Sequence, residues 1–164
     1  MNKYYLGVCA MDLDGKVLEA GDTRVPFTIQ SISKLVSLIL AIRDCGADHL
    51  FHEKVGVEPT GDPFNSIVKL ETRTRPFNPF INAGAITVAS CIKGKDADEK
   101  FGRFLEFTRK LCDNDAIELN HPVYESERAT GVSKPGTCLL SEGIRDTGGR
   151  CGGMFGLLFP DVFL

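Results

Sequence analysis

The sequence predicts a mixed α/β fold of the α+β class, in which a β-hairpin is followed by helices. Its 164 residues fit one domain. Three observations predict this fold class. Two strand-like runs flank Asp14-Gly15, an apolar stretch with helical spacing follows Gln30, and "DADEKFGRFLEFTRKLCDN" mixes polar and apolar residues with a helical period. Strands that precede helices in this way are typical of α+β domains.

The first predicted element is a β-hairpin in "YYLGVCAMDLDGKVLEAGD". Its two runs are rich in Tyr, Val and Leu, which suit half-buried strands. The dipeptide Asp14-Gly15 between them tolerates the positive φ angles of a type I′ turn. We therefore expect two strands joined by a tight turn of that type.

The second element is a helix that begins near Gln30, after Pro26 has interrupted the backbone. Its apolar residues recur at helical spacing: Ile32, Leu35, Val36, Ile39, Leu40 and Ile42. Arg43 supplies a basic last turn, and Gly46 a glycine just past the end. A helix that is apolar on most sides belongs in the core, so we expect this one to be central.

Loop and helix signals alternate through the middle of the chain. The glycines and prolines of "VGVEPTGDPFN" predict a loop over residues 55–65, and "SIVKLE" predicts a short strand over 66–71. After it, "RPFNPFINAGAITVAS" predicts a turn and then a helix whose small residues allow close packing.

Two more helices are predicted towards residue 131. Acids begin "DADEKFGRFLEFTRKLCDN", and Arg109 and Lys110 lie near its end, as the helix dipole favours. The apolar face predicted for it comprises Phe101, Phe104, Leu105, Thr108 and Leu111. "HPVYESERATG" then predicts a turn that leads into a short helix.

Composition excludes several functional classes. Hydrophobic residues make up 43% of the chain and charged residues 25%, which is ordinary for a soluble globular domain. A net charge of −3 without a basic stripe predicts no nucleic-acid partner. No apolar run reaches the ~18 residues that a membrane span needs. The N-terminus, "MNKYYLGVCAMD", lacks the apolar stretch of a signal peptide.

Cysteine and histidine spacing predicts neither disulfides nor a metal site. The six cysteines are scattered without a CxxC pair, which favours free thiols in a reducing cytoplasm. His49 and His52 lie close together in "HLFHE", but not at the spacing of a zinc-binding helix. We therefore expect a cytoplasmic protein with no metal or other cofactor.

The stretch "TIQSISKL" contains the main catalytic candidate. Ser31 and Lys34 are three residues apart at the start of the apolar helix, so their side chains lie on one face. The positive end of a helix dipole favours a developing alkoxide and disfavours an ammonium, as a serine nucleophile with a lysine base requires. By itself the spacing is weak support, because Ser-x-x-Lys pairs are common in helices.

Four motifs together resemble one enzyme family. "VPFTIQSISK", "VGVEPTGDPFNS", "NPFINAGAI" and "ESERATG" occur in this order. They are similar to the glutaminases of the β-lactamase-like fold, which hydrolyse L-glutamine to L-glutamate and ammonia. The hairpin, the proline and the Ser-x-x-Lys helix also resemble the penicillin-recognising serine hydrolases. The resemblance implies a β-lactamase/penicillin-binding-protein-like (DD-peptidase) fold, here incomplete.

The resemblance also implies roles for individual residues. Ser31 matches the nucleophile that attacks the side-chain amide, and Lys34 matches its base. Asn82 matches an asparagine that hydrogen-bonds the substrate, Glu127 a glutamate that faces the substrate ammonium, and Gln30 a contact beside the nucleophile. On sequence alone, Asn82 also suits a helix N-cap and Glu127 a solvated charge. The implied partner is L-glutamine, with no cofactor, and the implied assembly is a homo-oligomer, a homotetramer.

From residue 132 the chain departs from the family pattern. Where glutaminases continue with Asp-Arg-Asn and a long helix, this chain has "VSKPG", so the family asparagine falls on Lys134. In one permitted back-translation, "VSKPGTCLLSEG" read one base later encodes, after one codon, Arg-Asn-Arg-Ala-Leu-Ala-Tyr-Tyr-Leu-Lys, a family-like helix. We therefore predict a partial glutaminase domain over residues 1–131 and an irregular, frameshifted tail over residues 132–164.

Two other functions share these residues. A penicillin-type acyltransferase or β-lactamase would also use Ser31 and Lys34, but such enzymes are secreted and no signal peptide is predicted. A non-catalytic fragment that binds intact glutaminase subunits is the third hypothesis. Release of ammonia from glutamine, lost in Ser31→Ala, would separate the first function from the other two.

Overall fold

The computed structural model describes residues 2–59, 61 and 75–131, with side chains described through residue 126. Its first element is a two-stranded antiparallel sheet of β1 (Gly7–Met11) and β2 (Val17–Gly21). Gly7 lies opposite Gly21, and Met11 opposite Val17. Both strands are exposed along their whole length. The predicted hairpin is therefore present.

The turn of the hairpin is not the predicted type I′ turn. Residues 12–16 connect the paired strand ends, and Gly15 has a φ of +81° while Asp14 has no positive φ. A type I′ turn needs a positive φ at both central positions. The Asp12 carboxylate explains the difference, because its Oδ1 accepts from the backbone amides of Asp14 at 3.0 Å and Lys16 at 2.8 Å and so stabilises a longer loop.

The helical part follows in chain order. It contains a 3₁₀ turn (Gln30–Ile32), α1 (Ser33–Cys45), α2 (Ala47–His49) continuing into a π turn (Leu50–Lys54), α3 (Asn82–Ser90), α4 (Ala97–Cys112) and α5 (His121–Gly131). The predicted strand over 66–71 and the predicted tail over 132–164 lie outside the described residues. No helix in the described part of the chain is long and apolar enough to cross a membrane.

Helix α1 is central, as predicted. It packs against both α3 and α4, and it ends at Gly46, whose φ of +85° suits a glycine. Residues from α1, the π turn, α3 and α4, and from just after the π turn and α3, form the buried core: Val36, Leu38, Leu40, Ala41, Leu50, Val55, Val88, Ile92 and Phe104.

Helix α4 is the clearest match between local sequence and structure. Asp96 caps it by accepting from the Glu99 amide at 2.8 Å, and Glu99 in turn accepts from the Lys95 amide at 2.8 Å. Phe104 and Thr108 are buried on the predicted face. The prediction for Leu111 is wrong, because this side chain is 53% exposed. Residues 111–116 are all exposed, so the end of the helix extends past the packed layer.

Candidate active site

Ser31 and Lys34 lie where a turn becomes a helix. Ser31 is the middle residue of the 3₁₀ turn Gln30–Ile32, and Lys34 is the second residue of α1. The Ser31 side chain is exposed and Lys34 is half-buried. An exposed serine hydroxyl one turn before a half-buried lysine suits a nucleophile that must meet a substrate. The expected hydrogen bond between Ser31 Oγ and Lys34 Nζ stays a prediction.

The residue before Ser31 has an unusual backbone. Gln30 has a φ of +49°, in the left-handed region that non-glycine residues rarely occupy. Ser33 stabilises this conformation, because its fully buried hydroxyl donates to the Gln30 carbonyl at 2.7 Å. The Gln30 side chain donates to Thr28 Oγ1 at 2.9 Å. Local strain of this kind occurs often at functional sites, and here it lies directly beside the candidate nucleophile.

Lys34 contacts a segment that is distant in sequence. Its Nζ donates to Asn82 Oδ1 at 2.8 Å and to the Phe80 carbonyl at 3.0 Å. Asn82 is the first residue of α3, and its side chain makes no cap bond with the helix that it begins. The structure therefore brings Lys34 and Asn82 together and gives Asn82 a tertiary contact in place of the N-cap that the sequence allowed.

A turn before α3 presents these two acceptors. Asn78 Oδ1 accepts from the backbone amides of Phe80 at 3.0 Å and Ile81 at 3.2 Å. Asn78 was not among the predicted site residues. The signal that could have found it is the Asn-Pro dipeptide, because asparagine before a proline favours the start of a turn.

Besides Asn82, the sequence predicts substrate contacts for Glu127 and Gln30. Glu127 belongs to α5, but its side chain lies outside the described residues, so its expected contact with a substrate stays a prediction. Gln30 is exposed and directly precedes Ser31. The candidate site in the described structure thus comprises Gln30, Ser31, Lys34 and Asn82.

The contacts of His49 and the burial of Cys91 do not favour a catalytic or metal-binding role for these side chains. His49 Nδ1 lies 3.1 Å from Glu53 Oε2, one turn further along the same helical segment. Within the described ranges, no group of three or more His, Cys, Asp or Glu residues could hold a metal ion. Burial raises the pKa of the Cys91 thiol, which makes this thiol a poor nucleophile at neutral pH.

A family model described as Glutaminase matches residues 1–141. The chain belongs to the glutaminase family. A glutaminase of Fusobacterium nucleatum is 54% identical over 132 residues, which is 79% of this chain and 43% of the relative. A glutaminase of Clostridium botulinum is 56% identical over 133 residues, 80% of this chain and 43% of the relative. This glutaminase chain thus spans 43% of the length of both relatives.

Solved structures of glutaminases share the fold of this chain. A Bacillus glutaminase crystallised in 4.3 M NaCl matches with a TM-score of 0.84 at 34% identity, over 97% of this chain and 54% of that one. A Bacillus subtilis glutaminase, in a covalent complex with 5-oxo-L-norleucine formed from 6-diazo-5-oxo-L-norleucine, matches with a TM-score of 0.76 at 30% identity, over 99% of this chain and 50% of that one. The mixed fold of helices and strands is therefore that of bacterial glutaminases.

Proposed function

We propose that this chain carries the nucleophile and base of a serine-dependent glutaminase, which hydrolyses L-glutamine to L-glutamate and ammonia. The observation that carries the proposal is the hydrogen bond from Lys34 to Asn82, because it unites two family motifs at the turn that bears Ser31. The β-lactamase-like architecture implied by the sequence suits the same chemistry, since that architecture uses Ser-x-x-Lys pairs for acyl transfer.

The proposed reaction has two halves. Ser31 Oγ attacks the side-chain carbonyl carbon of glutamine, and its proton passes to the Lys34 amine. When the tetrahedral intermediate collapses, the carbon–nitrogen bond breaks and Lys34 returns the proton to the leaving ammonia. A water molecule, deprotonated by Lys34, then attacks the resulting ester. The ester bond to Ser31 Oγ then breaks, Lys34 returns the proton to that oxygen, and glutamate is released.

Three residues are proposed to hold the substrate around this bond. Asn82 and Gln30 offer amide groups beside the nucleophile, and amides can pair with the polar ends of an amino acid. The Glu127 carboxylate is proposed to pair with the substrate ammonium through a charge-assisted hydrogen bond. We also propose a cytoplasmic location, supported by the scattered cysteines, and a homotetrameric assembly by family resemblance.

A second candidate function is an inactive or subunit-binding remnant of a glutaminase. The observation that favours it is the departure of the sequence from the family pattern after residue 131. Lys134 also replaces the asparagine that the family pattern places there, and each lost polar contact in a buried site costs roughly 1–3 kcal/mol. Turnover by this chain is therefore expected to be low even where the nucleophile still reacts.

The proposal is tested first by a single covalent event, which requires less than turnover. The purified 164-residue chain is incubated with 6-diazo-5-oxo-L-norleucine, and the adduct is located by peptide mass spectrometry. We expect modification of Ser31 that disappears in Ser31→Ala and falls strongly in Lys34→Gln. The matched control is Lys100→Gln, which removes another half-buried lysine, one that donates to the Ser90 carbonyl at 3.0 Å.

Further measurements separate the alternatives. Ammonia release from glutamine that Ser31→Ala abolishes supports the enzyme, whereas labelling without release supports the inactive remnant. Absence of labelling together with acylation by benzylpenicillin supports a penicillin-type enzyme. The frameshift proposal for the tail has its own test: a gene without an extra base after the Gly131 codon contradicts it.

A further inference from the structure

The side chain of Asn78 organises the turn that faces Lys34. Its Oδ1 accepts from the backbone amides of Phe80 at 3.0 Å and Ile81 at 3.2 Å, and its Nδ2 donates to the Glu58 carbonyl at 3.0 Å. Asn78 is half-buried. These bonds hold the segment from Asn78 to the start of α3 and attach it to a neighbouring stretch of chain.

Backbone contacts keep this turn in place from two sides. The Gly56 amide donates to the Pro76 carbonyl at 2.8 Å, and the Glu58 amide donates to the Phe77 carbonyl at 3.0 Å. On the other side α3 approaches so closely that a Cβ atom on Gly84 would lie 1.8 Å from the Asn78 carbonyl oxygen. The turn is therefore clamped between residues 56–58 and α3.

The same residues that Asn78 holds are the ones that hold Lys34. Phe80 receives the Asn78 bond on its amide and gives its carbonyl to Lys34 Nζ at 3.0 Å. Ile81 receives the second bond and directly precedes Asn82, whose Oδ1 accepts from Lys34 Nζ at 2.8 Å. A shift of the turn would thus move both acceptors together.

Two fixed carbonyl acceptors orient a lysine amine. Carbonyl oxygens can only accept hydrogen bonds, so each of them takes one N–H of Lys34. A neutral amine has two N–H bonds and one lone pair, and with both N–H bonds directed at Phe80 and Asn82 the lone pair has a set direction. A general base must point its lone pair at the proton that it removes.

We propose that Asn78 is a positioning residue for the Lys34 base, acting through the turn that presents Phe80 and Asn82. This inference rests on the proposed function, in which Lys34 takes the Ser31 proton. Asn78 bonds to backbone groups of the turn and of residue 58, so its main effect falls on the rate of proton transfer, with a smaller effect on the affinity for substrate because the same turn leads into Asn82.

The test compares three variants of the full chain. Asn78→Ala removes every side-chain bond to the turn. Asn78→Asp keeps an acceptor for the amides of Phe80 and Ile81, but it replaces the donor to the Glu58 carbonyl with an acceptor and adds a negative charge, so it tests whether the acceptor bonds to the turn are enough. Asn114→Ala is the matched control, because Asn114 makes the same kind of local bond, to the Ala116 amide at 2.9 Å, in an exposed turn.

The first readout is NMR of the lysine side chain and does not depend on catalysis. In the unaltered chain we expect the two Lys34 Hε protons to have different chemical shifts, as in an immobilised side chain, with the signals assigned by their loss in Lys34→Arg. Asn78→Ala should merge the two signals, while Asn78→Asp and Asn114→Ala keep them apart. Equal shifts in the unaltered chain, or separate shifts that persist in Asn78→Ala, overturn the proposal.

The second readout is the labelling of Ser31 by 6-diazo-5-oxo-L-norleucine, analysed as a maximal rate and a half-saturating concentration. Asn78→Ala should lower the maximal rate by about ten- to a hundred-fold, as misplacing a reacting group does, with a smaller change in the half-saturating concentration through Asn82. Asn78→Asp should recover most of the rate. An effect on the half-saturating concentration alone overturns the positioning role.

The two readouts keep this inference separate from the proposed function. If the unaltered chain is not labelled at all, the proposed function fails, and the Lys34 signals still decide whether Asn78 holds the lysine. If the amide spectrum of the whole chain changes in Asn78→Ala, that variant has lost its fold and Asn78→Asp, which retains the acceptor, is used instead. Merged Lys34 signals in folded Asn78→Asp overturn the proposal. Separate Lys34 signals in it support the proposal.

Discussion

The ion pair between Asp44 and Arg103 ties the end of α1 to the middle of α4. Asp44 Oδ2 accepts from Arg103 Nη1 at 2.5 Å, and Oδ1 accepts from Arg103 Nη2 at 2.7 Å. The Lys93 backbone amide also donates to Asp44 Oδ2, at 2.7 Å. Asp44→Asn keeps the shape of the side chain, but it removes the charge and replaces one acceptor with a donor.

The size of the effect follows from burial. The Asp44 side chain is only 7% exposed, whereas Arg103 is 36% exposed and water can solvate it when the pair is broken. Hydrogen bonds to charged groups contribute roughly 1.5–3 kcal/mol, and breaking a fully buried pair costs roughly 3–5 kcal/mol. For this partly solvated pair we expect Asp44→Asn to lower the free energy of unfolding by about 2 kcal/mol.

The effect should depend on pH in a defined direction. The hydrogen bonds from Arg103 hold the pKa of the Asp44 carboxyl below its usual range, against the opposing effect of burial. A carboxyl with a lowered folded pKa stabilises the protein above the pKa of an unfolded aspartate, ~3.9. This stabilisation is lost as the pH falls through the folded pKa, so Asp44→Asn and the unaltered chain should converge in acid.

Urea unfolding followed by circular dichroism, in a series from pH 7 to pH 3, measures this difference. The control is Glu106→Gln, which breaks an exposed pair with Lys110 one turn away, and no measurable change is expected. An unchanged midpoint for Asp44→Asn at pH 7, or a difference that grows towards acid pH, would show that the ion pair with Arg103 does not stabilise the fold.

Three further pairs of substitutions test the packing and the capping, each measured by urea unfolding. Gly84→Ala places a Cβ 1.8 Å from a backbone carbonyl oxygen and should lower the free energy of unfolding by about 1–3 kcal/mol. Gly102→Ala adds a Cβ with nothing within 4 Å at an exposed helix position and should raise that free energy slightly. Equal effects of the two substitutions would contradict the close approach at Gly84. Asp96→Ala should cost about 1 kcal/mol through loss of the α4 cap, and Asp96→Asn should recover most of it. Phe104→Ala should lower the free energy of unfolding by about 3–5 kcal/mol, and Leu111→Ala, at an exposed position, by about 0.5 kcal/mol or less. The reverse order would show that the buried face of α4 is misassigned.

The elements that were predictable are those governed by neighbouring residues. Helix α4 is capped by Asp96 and Glu99, which lie within one turn of each other. Helix α1 ends at Gly46 because glycine adopts the positive φ that stops a helix. In the hairpin, Asp14-Gly15 located the turn correctly, but the side-chain bonds of Asp12 lengthened it into a different type.

Candidate residues of the site were also recognisable in the sequence, but their partners were not. Ser31 and Lys34 stand three apart, and helical spacing places them on one face. Nothing in that spacing shows that Lys34 reaches Asn82, 48 positions along the chain, or that Asn78 holds the turn between them. These contacts exist because α1 packs against α3, and packing depends on the whole core.

Local sequence was enough to predict the order of the hairpin and helices, the acidic start and basic end of α4, and Ser31, Lys34 and Asn82 as candidates. Three findings required the packed helices: Asn82 holds Lys34 and does not cap α3, Asp44 binds Arg103 from 59 positions away, and Leu111 is exposed. The difference is one of range. Capping and helix periodicity act within about four residues, whereas side-chain pairing and burial depend on which helix surfaces meet when the core closes.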